Sequence, residues 1–286
     1  MNVSIIGGGG RMGRWLVRHF LSQGHNVRIS DIETEEATAF AESVGASFSE
    51  DNVEAVEDAD LTVVSTPITV AARVLREIAP SVKEDSIVAE ISSLKSDVVP
   101  VLLEMAETRV KPLSIHPLFG PGIKRLEEEK IALIPVVDLS SEIESVSRFF
   151  PGAEVVVVEA DEHDRAMALT LSLPHFLNIL FASVVSEEDL VFLKKLGGTT
   201  FTLQLTLSES VMAESPELYA SIQINDEYTV RYLDRFLSKA ETVREWIAKK
   251  DAKSFTEFYS SAQTSLSKDE DFSKSYERIY KALESF

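Results

Sequence analysis

The chain has 286 residues, 28 of them basic and 47 acidic, for a formal charge of −19, with 44% hydrophobic residues and no cysteine. That excess of acid argues against nucleic acid or an anionic membrane surface as a partner, and the missing cysteines exclude disulfides, thiolate metal sites and a cysteine nucleophile. The length suits two domains, no apolar run reads as long enough to span a bilayer, and the N-terminus enters a strand rather than a signal peptide, so a cytoplasmic protein is expected.

Val3-Ser4-Ile5-Ile6 reads as a short apolar strand that runs into GGGGRMG, Gly7 to Gly13. Gly8, Gly10 and Gly13 fit G-x-G-x-x-G between that strand and a helix whose buried face would carry Met12, Leu16 and Phe20. Gly8 permits a tight turn, Gly10 lets the backbone approach a pyrophosphate, and Gly13 lets the helix lie close on the strand. The first N–H groups of the helix, from Arg11 and Met12 on, then face the phosphates. A second strand, Val27 to Ser30, ends at Asp31 about twenty residues after the turn, where a carboxylate accepts the ribose hydroxyls of an adenosine. The acid favours NAD over NADP, with Arg11 and Arg28 as the nearby cations that would argue the other way.

A polar helical segment from Glu33 to Val44 leads through Gly45 to a short edge strand near Ala46 to Ser49. The next strand, within Asp60 to Pro67, ends in small polar residues; in a doubly wound sheet such strand ends line the ligand crevice, so Ser65, Thr66 and Pro67 should lie against the cofactor. A helix from Val70 to Ile78 stops at Pro80. Ser86 to Ile91 and Arg109 to Ile115 read as further strands, followed by Lys130 to Val137 and Ala153 to Val158 around a helix from Ser141 to Phe150. The alternation predicts a mostly parallel sheet with helices on both faces.

From Asp161 the pattern is helical: an apolar segment from His163 to Val185, a shorter one near Leu190, then Phe201 to Met212, Leu218 to Lys249, and Ser254 onward. The expected division is a dinucleotide-binding domain over 1–159 and a helical substrate and dimerisation domain over 160–286. His163 to Val185 is too apolar for a surface helix, and a second copy of the chain is the economical way to bury it.

Of the histidines, His19 and His25 flank the first helix and read as surface residues. His116 ends a strand in the crevice, just before Pro117 and Gly120-Pro121, where a neutral imidazole could take a proton from a hydroxyl as hydride leaves the same carbon. Ser92, Ser93 and Lys95 close the neighbouring strand; a hydroxyl there could orient an imidazole, and Lys95 could cap the sheet end or meet a carboxylate. In Asp161-Glu-His-Asp164 the acids suit a helix start better than a metal site. His175, beside Pro174 in an apolar helix, could be structural or could point into a cleft.

Several motifs together resemble the prephenate and arogenate dehydrogenases of tyrosine biosynthesis. They are GGGGRMG, Ser65-Thr-Pro67, Ile91-Ser-Ser-Leu-Lys95, His116-Pro-Leu-Phe-Gly-Pro121, Glu162-His-Asp164, Leu173-Pro-His-Phe176 and Pro216-Glu-Leu-Tyr-Ala-Ser-Ile222. The resemblance implies an NAD-dependent homodimer with a small anionic substrate. It also implies a reaction in which His116 takes the proton of the ring hydroxyl, hydride passes from C4 to NAD, and the ring carboxylate leaves as carbon dioxide. By the same resemblance Ser93 supports His116 and the nicotinamide, His175 lies on the substrate side, and Lys95 and Gly120 border the substrate. One departure stands out: relatives carry an arginine for a substrate carboxylate where this chain has Ser210. Lys124, Arg125, Arg165, Lys194 and Lys195 are the cations that could replace it. A related dehydrogenase with another anionic substrate, or a silent NAD-binding paralogue, are the competing readings.

Overall fold

A computed structural model describes residues 1–284. In chain order the first half contains β1 (Asn2–Ile6), α1 (Arg11–Ser22), β2 (Asn26–Ser30), α2 (Thr34–Val44), β3 (Ser47–Ser49), α3 (Asn52–Val56), β4 (Leu61–Val64), α4 (Ile68–Ile78), β5 (Ile87–Glu90), α5 (Val98–Ala106), β6 (Lys111–Pro117), β7 (Lys130–Ile134), α6 (Leu139–Phe149) and β8 (Glu154–Val157). The strands form one sheet in the order β3-β2-β1-β4-β5-β6-β7-β8. Every neighbouring pair is parallel except β6 and β7, where Ser114 faces Ile134 and His116 faces Ala132 in antiparallel register. The crossover from β3 to β4 starts a second series of strands on the far side of β1, which places a crevice at the carboxyl ends of β1 and β4.

The strands read as apolar runs because both of their faces are covered. On one face Val3, Ile5, Ile29, Leu61 and Val63 pack with Leu16, Val17 and Phe20 of α1, Phe40 of α2 and Phe149 of α6. On the other, Ile6, Val64 and Val88 pack with Val56 of α3, Val74, Leu75 and Ile78 of α4, and Val101, Leu102 and Met105 of α5. Met12 is only half-buried; Gly13 and Val17 take its place on the inner face of α1. The sequence reading leaves out α3 and α5. Asp51 caps α3 by accepting from the N–H groups of Val53 and Glu54, and Pro100 sits within the first turn of α5, where proline costs the helix no hydrogen bond.

Downstream come α7 (Ala160–Met167), a π turn over Ala168–Ser172, α8 (Leu173–Val185), α9 (Leu190–Leu196), α10 (Thr199–Met212), α11 (Pro216–Asn225), α12 (Thr229–Lys249), α13 (Ala252–Leu266), a 3₁₀ turn at Phe272–Lys274 and α14 (Ser275–Leu283). The chain divides into two compact units. One is Met1–Ala168 with Glu217–Asp226, and the other is Leu169–Pro216 with the residues from Glu227 on. The expected single helix from Leu218 to Lys249 is therefore two, broken at 226–228 where the chain passes from one unit to the other.

In the helical unit α8 packs on α10 and α12. Gln204 Nε2 and Ser208 Oγ both donate to Asn178 Oδ1 at 2.9 Å. No residue of α8 is buried within the chain, and Leu180, Val184, Val191, Phe192 and Leu196 are exposed. Contrary to expectation, one helix reaches membrane-spanning length. The π turn joins α7 to α8 without a break, so Ala160–Val185 is a 26-residue helix with mean hydropathy 1.7 over its most apolar window, long and apolar enough by length and composition to cross a membrane. Its first two turns are polar: His163 and Asp164 are buried in the sheet unit, as are Met167 and Ala168.

Candidate active site

The glycine turn is built from contacts that leave no room for side chains. Gly7 takes φ +83°, and the N–H groups of Gly7 and Gly8 both donate to Ser30 O, at 2.8 and 3.2 Å, pinning the turn to the end of β2. A Cβ on Gly7 would stand 2.5 Å from Ser65 O, and one on Gly8 2.5 Å from Ile29 Cβ. The left-handed turn thus belongs to Gly7 and the close packing on β2 to Gly8, a correction to the role expected for Gly8. At Gly13 a Cβ would collide with Gly7 O and Gly8 Cα, so α1 rests directly on the turn. Gly10 is different: its nearest neighbour would be Gly7 O at 3.4 Å, so the protein itself does not require glycine there. That open position is the N-cap of α1, and no side chain caps the helix.

Asp31 closes the cradle. Its Oδ2 accepts from Gly9 N at 2.9 Å and its Oδ1 from Glu33 N at 3.1 Å, so the carboxylate is held at the tip of β2 beside the turn. Arg28 donates to Glu54 O at 3.2 Å. On the neighbouring strand Ser65 N donates to Ile6 O at 2.8 Å, Thr66 Oγ1 is buried without a protein partner, and Pro67 opens α4. A glycine cradle at an uncapped helix start, a fixed carboxylate and an unsatisfied hydroxyl fit a dinucleotide.

The second half of the site stands at the carboxyl end of β6. His116 is 7% exposed, and its Nδ1 lies 3.0 Å from Nε2 of His163 in α7. His163 Nδ1 in turn meets Asp164 Oδ1 at 2.8 Å. Asp164 also accepts from the backbone N–H groups of Lys95 and Ser96, at 2.9 to 3.0 Å. Alongside runs a buried ion pair, Lys95 Nζ to Glu90 Oε1 at 2.7 Å. Lys95 Nζ also donates to Ile115 O at 2.7 Å, while Glu90 accepts from Ser114 Oγ at 2.5 Å and Ser92 N at 2.7 Å. Burial, the Lys95 charge and His163 push the His116 imidazole well below its ordinary range, so it is neutral at pH 7. Burial pulls the Lys95 amine down as well, against the attraction of Glu90 and Asp164.

These contacts correct two expectations. Lys95 is wholly buried and holds the ends of β5 and β6 together, so its amine has no exposed face for a substrate carboxylate. The Nδ1 partner of His116 is His163 rather than Ser93, which is half-buried just past β5. His163, Asp164 and Glu90 are the members of the cluster that sequence reasoning passed over. For His163 and Asp164 the signal was the adjacent His-Asp pair, read there as a helix start. His19 is no surface residue: its ring stacks on Trp15 and Phe150, with Nε2 2.7 Å from Phe149 O.

Gly120 has nothing near its Cβ direction, and Lys124 and Arg125 just beyond it are exposed in the same unit as His116. His175 belongs to the helical unit, half-buried on α8, with its imidazole pushed down by burial. Ser210 Oγ donates to Leu207 O of its own helix at 2.7 Å, and Lys194 pairs with Glu209 at 2.8 Å. No group of three or more His, Asp or Glu suited to a metal ion occurs among the described residues.

Comparison with known proteins agrees with this architecture. Residues 17–159 match the nucleotide-binding domain of prephenate dehydrogenase, and residues 159–261 match the prephenate dehydrogenase dimerization domain. A probable arogenate/prephenate dehydrogenase of Methanocaldococcus jannaschii is 27% identical over 273 residues, 92% of this chain and 60% of that protein. The T-protein of Enterobacter agglomerans is 25% identical over 244 residues, 83% of this chain and 60% of that protein. The chain thus spans about 60% of the length of these curated relatives. Among solved structures, prephenate dehydrogenase from A. aeolicus in complex with hydroxyphenyl propionate and NAD+ shares the fold with a TM-score of 0.75 at 18% identity, over 94% of this chain and 98% of that one. With both domain models matched in order across most of its length, this chain belongs to the prephenate dehydrogenase family.

Proposed function

We propose that the chain is an NAD-dependent dehydrogenase that oxidatively decarboxylates prephenate or arogenate, giving 4-hydroxyphenylpyruvate or tyrosine. The observation that carries the reading is His116: a buried imidazole, neutral at pH 7, held through one ring nitrogen at a strand end of the nucleotide-binding unit. Gly7 to Gly13, Asp31 and Thr66 would hold the cofactor, which when bound supplies the hydride acceptor. His116 accepts the proton of the ring C4 hydroxyl as that carbon gives up its hydride. The C4 oxygen becomes a carbonyl, and the electron pair of the breaking bond to the ring carboxylate flows toward it as carbon dioxide leaves. The phenolate so formed recovers its proton from His116, so the histidine ends neutral. A pre-held base of this kind contributes by position and by a matched protonation state.

Placing the substrate beside His116, with Gly120 and His175 as substrate-side residues and Ser93 next to the nicotinamide, belongs to the same proposal. So does a homodimer through the helical unit. The dimerization-domain match and the exposed apolar side chains of α8 and α9 support it, since a second copy would cover Val184, Phe192 and Leu196. We place the enzyme in the cytoplasm, whose reducing conditions suit its cysteine-free sequence. Ser210, bonded to its own helix where the family resemblance implies an arginine, favours a second reading in which the anion recognised is a different one.

Purified protein mixed with NAD and either prephenate or arogenate tests the proposal by the rise of NADH absorbance. Turnover with one of them supports it and names the substrate. NAD binding without turnover on either one would replace it with the second reading. Sedimentation of the wild type and of Val184→Asp tests the dimer: a dimer that the variant converts to monomer is expected, and a monomeric wild type would refute it.

A further inference from the structure

We propose that His163 and Asp164 are positioning residues that fix the tautomer of His116, leaving its Nε2 as a bare lone pair. The inference rests on reading His116 as the base, and it follows from which atoms in the chain can donate. A carboxylate only accepts. Asp164 receives the backbone N–H groups of Lys95 and Ser96, which fix its orientation, and its Oδ1 lies 2.8 Å from His163 Nδ1. His163 therefore carries its proton on Nδ1 and presents Nε2 as an acceptor. The 3.0 Å contact to His116 then requires His116 to donate from Nδ1. Its Nε2 has no proton and is free to take one.

The surroundings reinforce the direction. Lys95, from the segment after β5, and His163 of α7 are the charged and titratable groups that act on His116, with Glu90 and Asp164 bonded to them in turn. Lys95 is the cation among them, and it disfavours a second proton on the imidazole. When His116 does take the substrate proton, the new charge is shared through His163 toward the Asp164 carboxylate. The logic matches a triad in which an acid orients an imidazole that then acts on something else, with a second imidazole inserted between the two.

Asp164→Asn inverts the chain. The backbone donors at Lys95 and Ser96 keep the amide oxygen, the NH2 group faces His163, and His163 must then donate from Nε2, which moves the His116 proton onto Nε2. Turnover should fall on the order of 10²–10⁴-fold, with KM and NAD affinity changed little. His163→Leu should fall similarly, and His163→Gln should recover at least about tenfold of that loss, because a carboxamide can donate to Asp164 and accept from His116 just as the ring does.

The deciding measurement is independent of turnover: long-range ¹H–¹⁵N correlation on protein labelled at histidine, with His116→Asn and His163→Gln used for assignment. The wild type should show both His116 and His163 in the Nδ1–H form, and Asp164→Asn should show both as Nε2–H. A wild-type His116 protonated at Nε2 would overturn the proposal. So would Asp164→Asn and His163→Leu enzymes of wild-type kcat beside an inactive His116→Asn, a pattern that leaves the base reading standing. Normal turnover by His116→Asn would instead sink the base reading, while the spectra still report whether the tautomer is fixed.

Discussion

Replacing Lys95 with methionine separates a structural amine from a substrate-binding one. Lys95 and Glu90 are both 0% exposed and 2.7 Å apart. Removing the lysine strands a carboxylate in the interior, and breaking such a pair from one side costs about 3–5 kcal/mol. Ile115 O also loses its donor, while Ser114 Oγ and Ser92 N still reach Glu90 and hold the cost toward the lower end of that range. Adding Glu90→Gln removes the stranded charge and keeps an acceptor for those two donors, so the double variant should be the more stable of the two, within about 2 kcal/mol of the wild type. Urea unfolding at pH 7.5, followed by Trp15 fluorescence in a Trp246→Phe background, reads the sheet unit alone. Lys95→Met within about 1 kcal/mol of wild type, with a raised KM for substrate, would refute the buried-pair account and return Lys95 to the substrate.

The same geometry sets four other expectations. Gly10→Ala should fold with near wild-type stability yet lose NAD affinity by at least about tenfold, whereas Gly13→Ala should lose both, because of these two positions it is Gly13 where the Cβ would collide with the protein itself; calorimetry with and without NAD distinguishes them. Asp31→Ser should lower kcat/KM with NAD and raise it with NADP, since the carboxylate beside Gly9 would no longer repel a 2′-phosphate. The folded pKa of His116 is depressed, so the base form is complete above pH 6.5 and is lost only as pH falls through a lower value. The acid limb of kcat/KM should therefore lie below pH 6.5 and move upward in the Glu90→Gln/Lys95→Met enzyme, which lacks the lysine charge. By the same sign the stability tied to a neutral His116 is present above 6.5 and lost as pH falls, so His116→Asn should flatten the acid side of the Tm profile.

The nucleotide half of the molecule was legible because its signals are local. Strand, glycine turn, helix, strand and Asp31 fall within the first 31 residues, and Gly7, Gly8 and Gly13 answer to contacts a few residues away or across one strand. The tight turn was assigned to Gly8 rather than Gly7 because sequence reports where glycines occur and not which one bears the positive φ. The His116 cluster was only half legible. His116 could be read from its strand end, but His163 lies 47 residues further on, and only the turn of α7 onto the sheet brings the two rings together. Lys95 misled for a related reason: a lysine after a strand looks exposed until Glu90, three-dimensionally opposite, is seen to bury it. The helix from Ala160 to Val185 escaped a count of apolar runs because its polar first turns belong to the sheet unit, while the rest carries side chains that stay exposed in a single chain.

The proposed mechanism makes His116 the base and leaves the nucleotide site built independently of it. The most direct test is His116→Asn, with NAD affinity measured by fluorescence quenching and NADH formation followed in a single turnover with the preferred substrate. The account predicts unchanged NAD affinity and a rate lower by at least about 10²-fold at pH 7. A variant that forms NADH at the wild-type rate would contradict it.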